Sequence, residues 1–167
     1  MSSVSTVTYN STHTVSYVTD KILLLLKEII REIGLDPTKL TEQWAVLEQG
    51  ISTWLRSQHL KKVTLEIYNS KTDALVSPWD LEVIYGYGND GSFWVDTSSI
   101  RYNIAKAGVL PSQCNYCFIV HTSPGRPDVT GWETGDVRSL DGFRRYNLGA
   151  TIGGNGIGAE VAYWKKT

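Results

Sequence analysis

GRPDVTGWETGDVRSLDGFRRYNLGATIGGNGIGAEVAYW, residues 125–164, decides how this chain is to be read. Nine of the 15 glycines of the chain fall inside it, beside Trp132, Phe143, Tyr146, Leu148, Ile152, Ile157, Val161, Tyr163 and Trp164. A disordered tail lacks such large apolar groups, because it has nothing to bury them against. A regular helix or strand does not tolerate glycine at this density. The combination predicts an irregular segment that wraps a folded body through spaced anchors and changes course at its glycines. Within it, 146–152 and 160–164 read as short terminal strands. The run Gly153-Gly154-Asn155-Gly156-Ile157-Gly158 between them has neither the following Lys-Ser/Thr nor the βαβ surroundings of a phosphate loop, so it reads as a turn.

The body to be wrapped lies upstream. Val15, Val18, Ile22, Leu25, Ile29 and Ile33 recur at steps of three and four, the helical period. Leu23, Leu24, Leu26 and Ile30 fill the rest of the circumference, which makes this helix central. Ser11 or Thr12 serves as its N-cap and Gly34 as its left-handed terminus. Asp36-Pro37 restarts a second helix, with Leu40, Trp44, Leu47, Ile51 and Trp54 as its stripe. Residues 62–68 alternate strictly between apolar and polar, as a half-buried strand does. Residues 79–87 and 115–122 read as two more strands. Between them, Asp96 or Thr97 caps a third helix that ends at Gly108. Residues 1–10 carry no charge and no helical period. They read as an extended, flexible arm, or alternatively as an edge strand over 4–9.

With 167 residues the chain makes one domain, and its 16 basic and 17 acidic residues give a net charge of −1. That balance offers no footprint for non-specific nucleic-acid or membrane-surface binding. No apolar run approaches the length of a membrane span, residues 1–19 do not read as a secretory signal, and two cysteines make no disulfide framework, so the cytoplasm is the expected compartment. Chemistry is scarce. Cys114 and Cys117, three apart on a strand, point to opposite faces and have no second ligand pair for zinc. His13, His59 and His121 fall in no ligand or catalytic spacing, and Cys117 and His121 are about 13 Å apart along their strand. No metal or cofactor is expected. Arg144-Arg145 and Lys165-Lys166, the basic clusters of note, read as solvated charge.

The order helix–helix–strand–strand–helix–strand followed by a glycine-rich wrap resembles the HORMA domain. Within it, the closest resemblance is to the bacterial HORMA proteins encoded beside cGAS/DncV-like nucleotidyltransferases in anti-phage CBASS operons. The segments that carry the likeness are YVTDKIL (17–23), LEIYN (65–69), GSFWVDT (91–97), AGVLPSQ (107–113) and PGRPDV (124–129). The resemblance implies an α+β fold: a three-stranded antiparallel sheet packed on three helices, with a C-terminal safety belt carrying the terminal strands. It divides the chain into an arm at 1–10, a core at 11–122 and a belt at 123–167. It implies a switch without catalytic activity, in which the belt closes around an extended closure-motif peptide added to the strand at 115–122. Tyr116, Cys117, Phe118, Ile119, Val120 and His121 would receive the peptide, flanked by Arg126 and Trp132. The terminal strands would dock on the opposite edge, along 81–87. The closed protein would bind and activate the nucleotidyltransferase, and a TRIP-like AAA+ ATPase would reopen it by engaging the arm at Val4, Val7 and Tyr9. The residues themselves leave two other readings open, a small enzyme with an unrecognised site and a static adaptor.

Overall fold

Eight apolar side chains of the first helix, Val15, Val18, Ile22, Leu23, Leu25, Leu26, Ile29 and Ile30, are each at most 2% exposed, which puts this helix at the centre of the core. The computed structural model describes residues 2–88, 91–107, 110 and 113–167, with side chains from Thr12 onward. The helix, α1, spans Ser2–Ile33. It therefore begins well before the expected N-cap at Ser11 or Thr12, and residues 2–10 are helical rather than extended. Once the buried part has nucleated a helix, each further residue adds a hydrogen bond, and Ser, Thr and Val cost only a few tenths of a kcal/mol apiece. At the other end Gly34 takes φ +100°, and the bonds Leu35 N–H to Ile30 and Gly34 N–H to Arg31 close the helix.

The second helix of the sequence reading is two: α2 Thr38–Glu42 and α3 Trp44–Arg56. The Asp36 carboxylate caps the Thr38 N–H at 2.9 Å, and these bonds hold it below the usual carboxylate pKa range. The first turn of α2 carries a tertiary insertion. The Tyr116 hydroxyl donates to the Asp36 carbonyl at 2.7 Å and accepts the Leu40 N–H at 3.3 Å, so it stands inside the i to i−4 bond of this short turn. Helix α4, Ser98–Ala107, follows an Asp96 cap as expected; its expected terminus, Gly108, lies outside the described residues.

The strands are β1 Leu60–Asn69, β2 Leu75–Tyr87, β3 Trp94–Val95, β4 Cys114–Thr122, β5 Phe143–Gly153 and β6 Gly156–Lys166. The three-stranded sheet of the sequence reading is corrected to one six-stranded sheet of order β3-β5-β6-β2-β1-β4. β5 and β6 are longer than the expected short strands. They continue the sheet instead of decorating it, because β6 pairs along β2 from Trp79↔Tyr163 to Tyr87↔Gly156. This is the edge the sequence reading gave them. Pro78, inside β2, lies just beyond the last residue paired with β6, so its missing N–H costs no bond on that side. The two-residue turn between β5 and β6 rests on α1, where Thr14 donates to the Asn155 carbonyl at 2.9 Å.

Candidate functional site

β4 ends the sheet order, so one of its edges meets β1 and the other meets no strand. In an antiparallel ladder the N–H and C=O of alternate residues point to opposite edges. The parity here is fixed at both ends. Ser70 N–H bonds the Gln113 carbonyl, which puts the odd-numbered residues of β4 toward β1. Tyr116 N–H goes to the Asn115 side chain, and its carbonyl accepts from the Lys39 ammonium, which puts the even-numbered residues outward. The register from Cys114 to His121 is unbroken, so Phe118 and Val120 also turn N–H and C=O outward. No described residue pairs with these groups.

Residues 123–142, the connection from β4 to β5, curl around this edge. They start on the helix side of the sheet. Trp54 Nε1 donates to the Pro127 carbonyl at 2.7 Å, and the Arg126 guanidinium lies 5.0 Å from the Trp54 ring centre. A turn closed by Trp132 N–H to Val129, with Gly131 at φ +94°, aims the Trp132 indole back onto α3. There it donates to the Val46 carbonyl at 3.0 Å and meets Trp54 edge to face at 5.1 Å. Six residues later the chain is on the opposite face. Arg138 Nη1 binds Glu66 and Nη2 binds Asp73, both at 2.7 Å, while its main-chain N–H binds the other Glu66 oxygen at 2.9 Å. Its guanidinium also stacks 3.8 Å from the Tyr68 ring centre.

Along the outer edge of β4 runs a corridor of three successive cavities, the second and third of them bounded by the segment. One of about 350 Å³ sits at Asp36, Lys39 and Cys114–Tyr116. The next, about 360 Å³, lies at Lys39, Gln43, Phe118 and Trp132. The third, about 240 Å³, lies at Trp54, Ile119, Val120, Thr122, Arg126 and Thr134. The corridor is open along a strand's length, has backbone donors and acceptors on its wall, and alternates small cavities with side chains. That is the geometry strand addition uses.

Each residue singled out in the sequence has a place here, though not the same one. Phe118 and Val120 offer backbone to the corridor, and Trp132 and Arg126 line it. Tyr116 is 3% exposed and occupied with α2, so it anchors the edge. Cys117, Ile119 and His121 point their backbone at β1 and their side chains to the face that Arg138 covers. Burial pushes the Cys117 thiol up, the reverse of an activated nucleophile. His121 Nε2 sits 3.1 Å from Thr64 Oγ1, which donates to Asp80, and burial lowers the imidazole pKa. The side chains of Val4, Val7 and Tyr9 lie outside those described. Lys39, Gly50 and Arg138 escaped the sequence reading. Only Gly50, a glycine in the middle of an apolar helical stripe, carried a signal.

Arg138 supplies a prediction. Glu66 is 2% exposed, and its charge is met by nothing else in 123–142. A bond to a charged partner is worth about 1.5–3 kcal/mol, and a buried carboxylate left unpaired is costlier still. Lifting the segment so that water reaches Glu66 relieves that cost. Arg138→Ala is therefore expected to speed amide hydrogen exchange across 133–142 by on the order of 10- to 100-fold, with α1 protection retained. Unchanged exchange in that stretch would show that the arginine does not hold it.

Comparison with known proteins agrees with this geometry. A chain of the mitotic checkpoint complex superposes with TM-score 0.68 at 12% identity, covering 94% of this chain and 97% of that one. C. elegans HTP-1 bound to the HIM-3 closure motif gives 0.64 at 14% identity, with 91% and 89% covered. The E. coli MS115-1 CdnC:HORMA-deltaN complex gives 0.56 at 11% identity, with 92% and 87% covered. No curated protein matches the sequence. These likenesses establish the fold; the family described as Bacterial HORMA domain 2 matches residues 1–167, and the chain belongs to it.

Proposed function

We propose that this protein is a peptide-binding conformational switch of anti-phage defence. Its belt, 123–167, closes around an extended closure motif added to the outer edge of β4, and the closed form binds and activates a cGAS/DncV-like nucleotidyltransferase. The observation that carries the reading is the course of 123–142. The segment crosses from the helix side of the sheet to the opposite face around an edge where Phe118 and Val120 turn N–H and C=O outward to no described partner. A covered but unpaired edge is costly unless something pairs with it. Two solved structures of the same fold support the two halves of the proposal, one bound to a closure motif and one in complex with CdnC.

The protein acts by binding, not catalysis. Among the described residues no group of three or more His, Cys, Asp or Glu could hold a metal ion, and the best-placed thiol and imidazole are engaged in the sheet face. Among the described residues no helix is long and apolar enough to cross a membrane; a cytoplasmic location fits the proposed partners. Reopening falls to a TRIP-like AAA+ ATPase that engages residues 1–10, with Val4, Val7 and Tyr9 as the gripped side chains. Pulling there would unwind α1 from its first turns toward its buried part.

The test uses purified protein, nucleotidyltransferase and a tiled peptide array of the operon's proteins. A bound peptide is expected to raise nucleotide synthesis by the partner only when this protein is present. Deleting residues 2–10 is expected to spare peptide binding and abolish ATPase-driven release. Peptide binding without any gain in synthesis would refute the activation step, and no bound peptide at all would refute the switch.

A further inference from the structure

One outward position of β4 is already filled. Tyr116 turns its N–H and C=O outward as Phe118 and Val120 do, but side chains of this chain take both groups. Asn115 Oδ1 accepts the N–H at 2.8 Å, and the Lys39 ammonium donates to the carbonyl. One acceptor and one donor are what a residue of an added strand brings to such a position. Lys39 and Asn115 thus stand in for one residue of a neighbouring strand, and the open ladder is cut back to Phe118 and Val120. An ammonium has three N–H donors, so two remain on Lys39. The side chain is half-buried, 5.5 Å from the Tyr116 ring centre, on the wall shared by the first and second cavities of the corridor. Among the described residues no carboxylate lies within ion-pair distance of it. The nearby acids are placed otherwise. Asp36 is committed to the N–H and hydroxyl of Thr38. Glu42 lines the first cavity and Glu133 the second and third, and both are exposed. Arg126, the other cation lining the corridor, already has Asp128 at 3.5 Å.

We propose that Lys39 sets both the reach and the chemistry of the peptide this edge accepts: it ends the ladder at Phe118 and takes a peptide carboxylate just beyond. This step deepens the switch reading and rests on it. A peptide paired with Val120 and Phe118 cannot continue onto Tyr116, because its own N–H and C=O would find no partner there. Its chain therefore leaves the edge beside the ammonium. The group it brings faces two unused donors on a half-buried cation. A neutral amide oxygen would answer the hydrogen bond and leave the charge, whereas a carboxylate answers both, in a bond about twice as strong. That carboxylate is an aspartate or glutamate side chain, or the α-carboxylate where the peptide is a chain terminus. A compact ammonium receives either. The two glutamates narrow the position, because an acid displaced along the corridor away from Lys39 meets Glu42 or Glu133, and like charges reject it. The edge thus selects one acid at one place, not an acidic peptide in general.

The test needs no known ligand. Random dodecapeptides displayed on phage, one library internal and one ending in a free carboxylate, are selected on wild type and on Lys39→Glu, with folding checked by circular dichroism. Wild type is expected to enrich Asp or Glu at one fixed position of the internal library, or the free terminus at that position of the other; whichever library responds identifies the source of the carboxylate. Lys39→Glu is expected to enrich Lys or Arg at the same position. Should Lys39→Glu fail to fold, Lys39→Met decides. Replacing the acid of a selected peptide by its amide is expected to weaken binding to wild type on the order of 10-fold and to change binding to Lys39→Met by less than about twofold. N-methylation of the peptide, one amide at a time, is expected to weaken binding on one side of the acid only. Sensitive amides on both sides would carry the ladder past Lys39 and overturn the stop. A consensus without an acid, or one shared by wild type and variant, would overturn the carboxylate and leave the switch reading standing. No peptide enriched on wild type would sink the switch reading and this step with it.

Discussion

Val120→Pro is expected to abolish peptide capture and keep the fold, while Ile119→Pro, one residue away, loses the fold itself. The contrast follows from the parity of β4. Val120 N–H points outward into the corridor, where no described residue accepts it. Proline at such an edge position removes a donor the sheet does not use. Its ring fills the space an added strand needs, so two or more ladder bonds to the peptide are lost together. At about 0.5–1.5 kcal/mol net for each bond, affinity falls on the order of 10- to 100-fold or more. Ile119 faces β1 opposite Thr64. Proline there deletes a ladder bond inside the sheet and strands a buried carbonyl, a loss of roughly 3 kcal/mol or more, which is a large part of the stability of a domain this size. Val120→Ala controls for the lost side chain. Fluorescence polarisation with a captured peptide and thermal melting by circular dichroism separate the two effects. Equal peptide loss in Val120→Ala, or an unfolded Val120→Pro, would mean that the outward backbone is not the receiving surface.

The elements governed by short periods were legible in the sequence. The α1 stripe, the alternation of 62–68 and the cap at Asp96 are local signals, and the structure has a helix, a strand and a helix where they stand. The tail reading held for 123–142, an irregular wrap anchored at Trp132, but glycine did not keep 143–153 and 156–166 from forming regular strands. What failed depends on distant partners. The first turn of α2 is opened by the hydroxyl of Tyr116, 80 residues from the Asp36 carbonyl it bonds. β5 and β6 looked short because bulges near Asn147 and Ala150 interrupt their alternation, and pairing with β2 carries them past those interruptions. At the candidate site, the strand and its flanking Trp132 and Arg126 could be named, but the division of β4 into outward and inward residues could not. That parity is set by register with β1, and a one-residue slip would exchange the two sets. Arg138 was invisible for a related reason: its partners Glu66 and Asp73 lie on and beyond a different strand, and only the course of the wrap brings it to them.

Gly50→Ala is expected to make α3 a better helix and the clasp a worse one. Glycine in a helix interior costs roughly 0.5–1 kcal/mol relative to alanine, so propensity alone predicts a more stable protein. The space, however, is taken. A Cβ on Gly50 would lie 2.2 Å from Trp132 Nε1, 2.4 Å from Cε2 and 2.7 Å from Cζ2. No rotation of a methyl group avoids such a contact, and Gly50 is in the middle of α3 where the backbone is held by its own ladder, so the indole has to leave. With it go the bond to the Val46 carbonyl and the edge contact with Trp54, about 1–2 kcal/mol together. Trp132 lines the two cavities that flank Phe118, so its departure opens the roof of the corridor where the peptide backbone would lie. The expected outcome is peptide dissociation faster on the order of 10-fold, with a melting temperature equal to or slightly below wild type, because the helix gain at most offsets the lost contacts. Trp132→Ala should dissociate as fast, and the double variant no faster than either, because both changes remove the same seat. Additive losses in the double variant, or a wild-type dissociation rate in Gly50→Ala, would place the grip of the belt elsewhere. The glycine would then be a cost to the helix with no return at the clasp.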